Sequence, residues 1–140
     1  MAKALARLPG WRGRFSACLI RAAGRSFEWV SHNCALFVAD GVLAQTGKDF
    51  AEPFRGKYST ELGAARALKK YGAGDLEKTI AQALPKGGLK TAKLGDVAIV
   101  EGPDGLCGGF WLRANIALVS QEGLVHLSQD SALRIYRVGR

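Results

Sequence analysis

The sequence predicts an α+β fold in which N-terminal helices and one central, buried helix pack on a C-terminal antiparallel sheet. Helical periodicity runs through most of the first 84 residues. From Leu94 onward the pattern becomes extended and is interrupted by turns. Between these parts, the stretch from Ser31 to Thr46, SHNCALFVADGVLAQT, is apolar around nearly the whole circumference of a helix. Such a helix is normally buried, so we expect the other elements to pack about it.

Four helices are predicted, over residues 11–24, 34–46, 60–71 and 75–84. In the first helix, Cys18 falls on the apolar face, so we interpret it as a core residue. The central helix begins at Cys34, and Gly47 breaks its pattern. Asp75 is a suitable N-cap for the fourth helix, and Pro85 stops it. Residues 48–58 and the basic stretch 85–93 are predicted to be loops.

Five strands are predicted, over Leu94–Val100, Leu106–Leu112, Asn115–Ser120, Leu124–Leu127 and Leu133–Val138. Residues 101–105, Glu-Gly-Pro-Asp-Gly, have the composition of a hairpin turn. Because short strands joined by such turns pair in antiparallel fashion, the C-terminal part is expected to form one antiparallel sheet.

The length of 140 residues suits one domain spanning 1–140, with residues 1–10 as a basic N-terminal arm. No apolar run approaches the ~20 residues of a transmembrane helix. The N-terminal stretch has neither an uninterrupted apolar core nor a small-residue cleavage site, so no signal peptide is predicted. We therefore expect synthesis in a cytoplasm, with export only as part of a larger particle.

The net charge of +8 favours acidic partners. The charges are scattered, and the aromatic residues do not alternate with them as they do in a single-strand-binding groove. The charge therefore indicates a solvated basic face or a subunit interface before it indicates nucleic-acid binding. The three cysteines are far apart and form no CxxC pair. Neither a disulfide framework nor a metal or cofactor site is expected.

Cys34 is the first candidate for chemistry. A thiolate is stabilised at a helix N-terminus by the helix dipole and by free N–H groups, and His32 lies two residues upstream. The simpler alternative is that Cys34 is a small buried hydrophobic residue.

The string Asn33 to Val38, NCALFV, resembles the motif of the NlpC-type papain-like cysteine peptidases, roughly Asp-Cys-Ser-x-Phe/Leu-Val. The wider string HNCALFVAD, followed by TGKDF, PFRGKY and GDVAIV, resembles a papain-like family of phages and prophages. The similarity covers roughly Phe27 to Val138. It implies a papain-like, NlpC-like fold with Cys34 in the nucleophile position.

The resemblance also implies a histidine base on a strand of the sheet, and here the sequence departs from the family. One alignment places Asn115 at the base position, and another places the strand 106–110 there; neither supplies a base. Asparagine cannot accept a proton from a thiol near neutral pH. The remaining candidates are His126 on a neighbouring strand and His32 in the turn. For His32 we favour a bracing role, such as a hydrogen bond to a backbone carbonyl.

Four other polar residues are further candidates for a site. Asp96 is expected to shape the Gly-Asp turn, and Asp40 is expected to lie on a different helix face from Cys34. Arg55 and Tyr58 can contact a ligand, but a loop pinned to the core by its aromatics is the favoured interpretation.

Three functions follow as hypotheses. The first is a structural protein of a phage or phage-derived tail, near the tip or hub, which binds other tail proteins and is carried in the virion. The second is an active cell-wall endopeptidase or amidase that acts on peptidoglycan with Cys34 as its nucleophile. The third is a cytoplasmic nucleic-acid-binding module, which rests on net charge alone.

Overall fold

The computed structural model describes residues 2–3, 5–102 and 105–139, and within them the fold is α+β with four α-helices and one six-stranded antiparallel sheet. The helices are α1 (Trp11–Ala23), α2 (Cys34–Thr46), α3 (Glu61–Tyr71) and α4 (Leu76–Ala83). The strands are β1 (Lys86–Gly87), β2 (Val97–Gly102), β3 (Gly105–Trp111), β4 (Ile116–Ser120), β5 (Gly123–Leu127) and β6 (Ala132–Tyr136). Within these ranges, no helix is both long and apolar enough to cross a bilayer.

The four predicted helices are confirmed to within about a residue at each end. Two details of the strands were predicted incorrectly. The predicted loop 85–93 contains the short strand β1, which is paired with β6 and is too short to show periodicity. Strand β2 begins at Val97 because Gly95 has a φ of +89° and the N–H of Asp96 donates to the carbonyl of Lys93, so these residues form a turn. Positions 1 and 4 of the predicted arm and positions 103 and 104 of the predicted turn lie outside the described residues.

The strand order in the sheet is β1-β6-β2-β3-β4-β5, so β2 and β3 lie at its centre. Alternate residues of β2 enter two apolar clusters, as strand geometry requires. Val97 and Ile99 pack in the cluster shared with α1, α2 and α4. Ala98 and Val100 pack in a second cluster that includes Cys107. The sheet therefore buries both faces at its centre.

Helix α2 is the central element, as the sequence predicted. Asn33 caps its start, and Gly47 ends it in the left-handed conformation at a φ of +79°. The ring of Phe110 on β3 packs edge-on against Phe37 of α2 and Phe15 of α1. Gly41 lies against the same ring: a Cβ there would come within 2.2 Å of Phe110 Cζ. The absence of that Cβ allows α2 to approach the sheet closely.

A buried polar cluster joins the N-terminal arm to the end of α2 and the start of β2. The guanidinium of Arg7 donates to Gln45 at 2.8 Å and to the carbonyl of Leu94 at 3.0 Å, and it pairs with Asp96 at 3.4 Å. Asp96 also accepts from the N–H of Lys93 at 3.0 Å. The prediction that Asp96 shapes this turn is confirmed. Cys18, 4% exposed, is confirmed as a core residue.

We expect Gly41→Ala to lower the free energy of unfolding by about 2 kcal/mol, because the new methyl overlaps the Phe110 ring in a packed core. Chemical denaturation measures the change. Gly13→Ala is the matched control: a Cβ at Gly13 meets nothing within 4 Å, so this exposed helical position should gain up to about 1 kcal/mol. Equal effects of the two substitutions would contradict the proposed close approach.

Candidate functional site

Cys34 is the first residue of α2, and the turn before it is held by its own hydrogen bonds. The side-chain oxygen of Asn33 accepts from the N–H of Leu36 at 3.1 Å. Its amide nitrogen donates to the carbonyl of Trp29 at 2.8 Å. Asn33 is 2% exposed, so it is the rigid cap of the helix. The N–H groups of Cys34 and Ala35 remain available to the Cys34 thiol.

The surroundings of Cys34 favour its thiolate and lower its pKa. The largest contribution is a hydrogen bond from the Cys107 thiol. The backbone N–H groups of Gly108, Ala35 and Cys34 itself also stabilise the anion, and together these donors outweigh the opposing effect of burial. The site therefore holds a partly buried, activated thiol.

Cys107 and Gly108 can contact Cys34 because β3 is not paired with β4 at these two residues. The β3–β4 register runs through Phe110↔Ala117 and Trp111↔Ile116, and Cys107 and Gly108 lie beyond these pairs. Gly108 also permits contact with the helix, because a Cβ there would lie 3.0 Å from Val38. Helix α2 therefore packs directly over this segment of β3.

Cys34 and Cys107 line a largely apolar cavity of about 270 Å³. Side chains from α2, α3, α4, β3 and β4 form most of its wall. Its polar lining residues include Asn33, Tyr58, Glu61, Thr79 and Ser120. Among the residues that the structure describes, no three His, Cys, Asp or Glu side chains come together to hold a metal ion.

An ion-pair cluster holds the loop between α2 and α3 against α2. Arg55 donates to both carboxylate oxygens of Asp49, at 2.9 and 3.0 Å, and to Asp40 at 2.7 Å. These hydrogen bonds lower the pKa of Asp49 and raise that of Arg55. Two of the motif segments noted in the sequence, TGKDF and PFRGKY, therefore meet through this cluster. Asp40 is not among the residues lining the Cys34 cavity.

The same loop places Tyr58 in the cavity wall. The Asn33 side-chain amide donates to its hydroxyl at 3.3 Å. Burial raises the pKa of Tyr58, and a Cys34 thiolate nearby raises it further. Tyr58 is therefore a protonated phenol at neutral pH in the wall of the cavity that Cys34 also lines. The sequence favoured a loop held to the core by its aromatics. The structure does hold this loop in place, but through the ion pairs of Arg55, and it also places Tyr58 in the cavity wall.

His32 lies outside the Cys34 cavity. Its side chain is buried, and neither ring nitrogen forms a hydrogen bond with any described residue. Burial lowers the pKa of His32, and the charge of Arg25 lowers it further, so the imidazole is neutral. The Ala22 carbonyl lies close enough to the ring to act against these two effects on the pKa, but it forms no hydrogen bond of normal geometry with either nitrogen. The backbone braces the turn instead, because His32 and Glu28 exchange two N–H···O bonds of 2.8 Å.

His126 and Asn115 also lie away from Cys34. Both line a second groove, beside Arg12 and Arg113 and between α1 and the β4–β5 side of the sheet. His126 is exposed on β5. The side-chain oxygen of Asn115 is buried without a hydrogen-bond partner among the described residues.

The structure thus does not bring the four predicted site residues Cys34, His32, Asn115 and His126 together. It places Cys107, Gly108 and Tyr58 beside Cys34 instead. In the sequence, the one signal for Cys107 is the alignment of strand 106–110 with the family's base-bearing strand, where this chain has a cysteine and no histidine.

The comparisons place this site in a family. The family model described as "Domain of unknown function (DUF6950)" matches residues 6–138. The chain belongs to this family. The match includes the Cys34 turn, the Arg55 loop and the β3 segment. None of the curated proteins compared with the chain matches it.

We expect Arg55→Gln to loosen the loop and to lower the free energy of unfolding by about 1 kcal/mol, a value reduced by the partial exposure of the ion pairs. Because pairing lowers the folded-state pKa of Asp49, its stabilisation is present above the unfolded pKa of ~3.9 and is lost as pH falls through the folded value. The difference from wild type should therefore shrink below about pH 4. Arg66→Gln, the same charge change at an exposed position, is the control and should show no such pH dependence.

We expect the pKa of Cys34 to lie below its ordinary value and to rise when Cys107 is removed, because the Cys107 thiol is its largest stabilising donor. The measurement is the alkylation rate of Cys34 against pH in the Cys18→Ala chain, followed by peptide mass spectrometry. Cys107→Ala should raise the apparent pKa, and Cys107→Ser, which keeps a donor, should raise it less. The same pKa in all three chains would show that Cys107 does not act on Cys34.

Proposed function

We propose that the chain has an NlpC-like, papain-type fold with a degenerate thiol site and serves as a structural component of a phage or phage-derived tail, near its tip or hub. The observation that carries this proposal is that Cys34 faces a second thiol, Cys107, and no histidine lines its cavity. Its partners are other tail proteins. Its location is the virion, after synthesis in the host cytoplasm.

The placement of Cys34 supports the fold assignment. A cysteine opens a buried helix that packs on an antiparallel sheet, which is the arrangement implied by the resemblance to NlpC-type peptidases. The neighbouring strand, β3, is the one that a sequence alignment sets against the family's base-bearing strand. In that position this chain has Cys107 and Gly108.

The chemistry of the cavity supports loss of peptidase turnover. A thiol peptidase needs an acid-base group that accepts the thiol proton and later gives a proton to the leaving amine. Backbone N–H groups stabilise the Cys34 thiolate but transfer no proton. The pKa of Tyr58 is raised, so its phenol is a poor proton donor to an amine. No histidine, the side chain that most often performs both steps, lines this cavity.

The charge supports a role in assembly. The net charge of +8 suits attachment to acidic surfaces of neighbouring subunits.

The activated thiol favours a second candidate function, an active peptidoglycan endopeptidase or amidase. Cys34 has a lowered pKa, and the N–H groups of Cys34 and Ala35 lie beside its sulfur, where a helix start can also stabilise an oxyanion. This function requires His126 or His32 to reach Cys34 after a rearrangement, since neither lines its cavity.

The structural role is tested on phage particles produced from the genome that carries this gene. For the structural role, we expect mass spectrometry to find the chain in purified tails, and Cys34→Ala particles to assemble and infect like wild type. Particles that lack the protein would overturn the structural role.

For the enzymatic role, the measurement is release of peptidoglycan fragments by the purified chain. Release by wild type that Cys34→Ala abolishes would support the enzyme, and equal results for the two would exclude Cys34 chemistry.

A further inference from the structure

The two thiols in the cavity differ in accessibility. Cys34 is partly exposed at the start of α2, whereas Cys107 is 9% exposed within β3. Both belong to one apolar cluster and line the same cavity, and Cys107 is close enough to Cys34 to lower the pKa of its thiol. The third cysteine, Cys18, lies in α1 at 4% exposure, and burial raises its pKa to about 11. Cys18 is therefore the unreactive thiol of the chain.

We propose that Cys34 and Cys107 form a reversible redox pair that reacts with low-molecular-weight disulfides, with Cys34 as the attacking thiol and Cys107 as the resolving thiol. This inference concerns the thiols of the chain itself and does not depend on a phage tail or on a peptidase fold. In this pair Cys107 has a chemical role, whereas the resemblance to NlpC-type peptidases gives it none.

The reaction balances in two exchange steps. The Cys34 thiolate attacks one sulfur of a small disulfide, forms a mixed disulfide and expels one small thiolate. The Cys107 thiol then loses its proton to solvent and attacks the Cys34 sulfur, which forms the Cys34–Cys107 disulfide and expels the second small thiolate. The protein loses two electrons and two protons, and the small disulfide is reduced to two thiols.

The geometry favours the second step. Both side chains lie in one apolar cluster and line one cavity, so formation of an S–S bond of ~2.05 Å needs local movement of the two side chains and no rearrangement of the fold. Gly102 leaves space around Cys107, since a Cβ at Gly102 would lie 2.9 Å from its sulfur. Because the resolving thiol is held in place, its attack is intramolecular and is faster than attack by a thiol from solution.

Oxidation also changes the site. The disulfide would link the start of α2 to β3 and remove the nucleophilic thiolate from the cavity wall. The pair would therefore switch the cavity between a form with an activated thiol and a form with none.

The experiment uses the full chain with Cys18→Ala, incubated in glutathione buffers of increasing oxidised fraction, quenched with acid and measured by intact-mass and peptide mass spectrometry. We expect loss of two hydrogens and a peptide that links Cys34 to Cys107. With Cys107→Ser added, Cys34 should instead retain one glutathione, and this adduct should last at least about tenfold longer. With Cys34→Ser added, Cys107 should remain unmodified at the same glutathione ratio.

Controls separate this result from effects of the substitutions. The wild-type chain, with Cys18 present, should give the same Cys34–Cys107 link, whereas the urea-unfolded chain should give mixed pairings. A persistent glutathione adduct on the Cys18→Ala chain, a Cys107 that reacts equally without Cys34, or no reaction of either thiol would overturn the proposal. Absence of the protein from phage particles would bear on the proposed function and leave this result unchanged.

Discussion

The close packing of α2 on β3 is the constraint on which the rest of the structure depends. Gly41 has no side chain where Phe110 needs space, and the Phe110 ring in turn joins Phe15 and Phe37 in one aromatic core. This contact sets the depth at which α2 lies on the sheet. It therefore sets the distance between the first residue of α2 and the segment of β3 that passes beneath it.

The polar interactions of the fold hold the ends of this packed unit in place. At the end of α2, Gln45, Arg7 and Asp96 tie the N-terminal arm and the β2 turn together. At its start, Asn33 provides the cap. Between them, Arg55 pins the following loop to α2 through two carboxylates. Because these groups are buried or partly buried and satisfied by partners, they specify one arrangement of the loop and keep Tyr58 in the wall of the Cys34 cavity.

The site that results differs from a peptidase site in its acid-base chemistry and not in its nucleophile. Helix-start N–H groups and a neighbouring thiol lower the pKa of Cys34 without any charged partner. Such a thiol is suited to attack on sulfur, where the leaving thiolate needs no proton, more than to attack on an amide, where the leaving amine does. The cavity chemistry is therefore more compatible with exchange than with hydrolysis.

The sequence by itself determined the fold class, the four helices and the place of Cys34 at the start of a buried helix, because periodicity, caps and glycine stops are local signals. It predicted a loop in place of β1 and began β2 too early, since two residues show no period and a turn resembles a strand edge. Only the tertiary structure decided which side chains meet Cys34. Residues 73 positions apart in the chain are brought together by the approach of α2 to β3, and local patterns contain no information on such contacts. For the same reason, His32 and His126, which the sequence offered as bases, lie outside the cavity, while Cys107, which it assigned no role, lies beside the thiol.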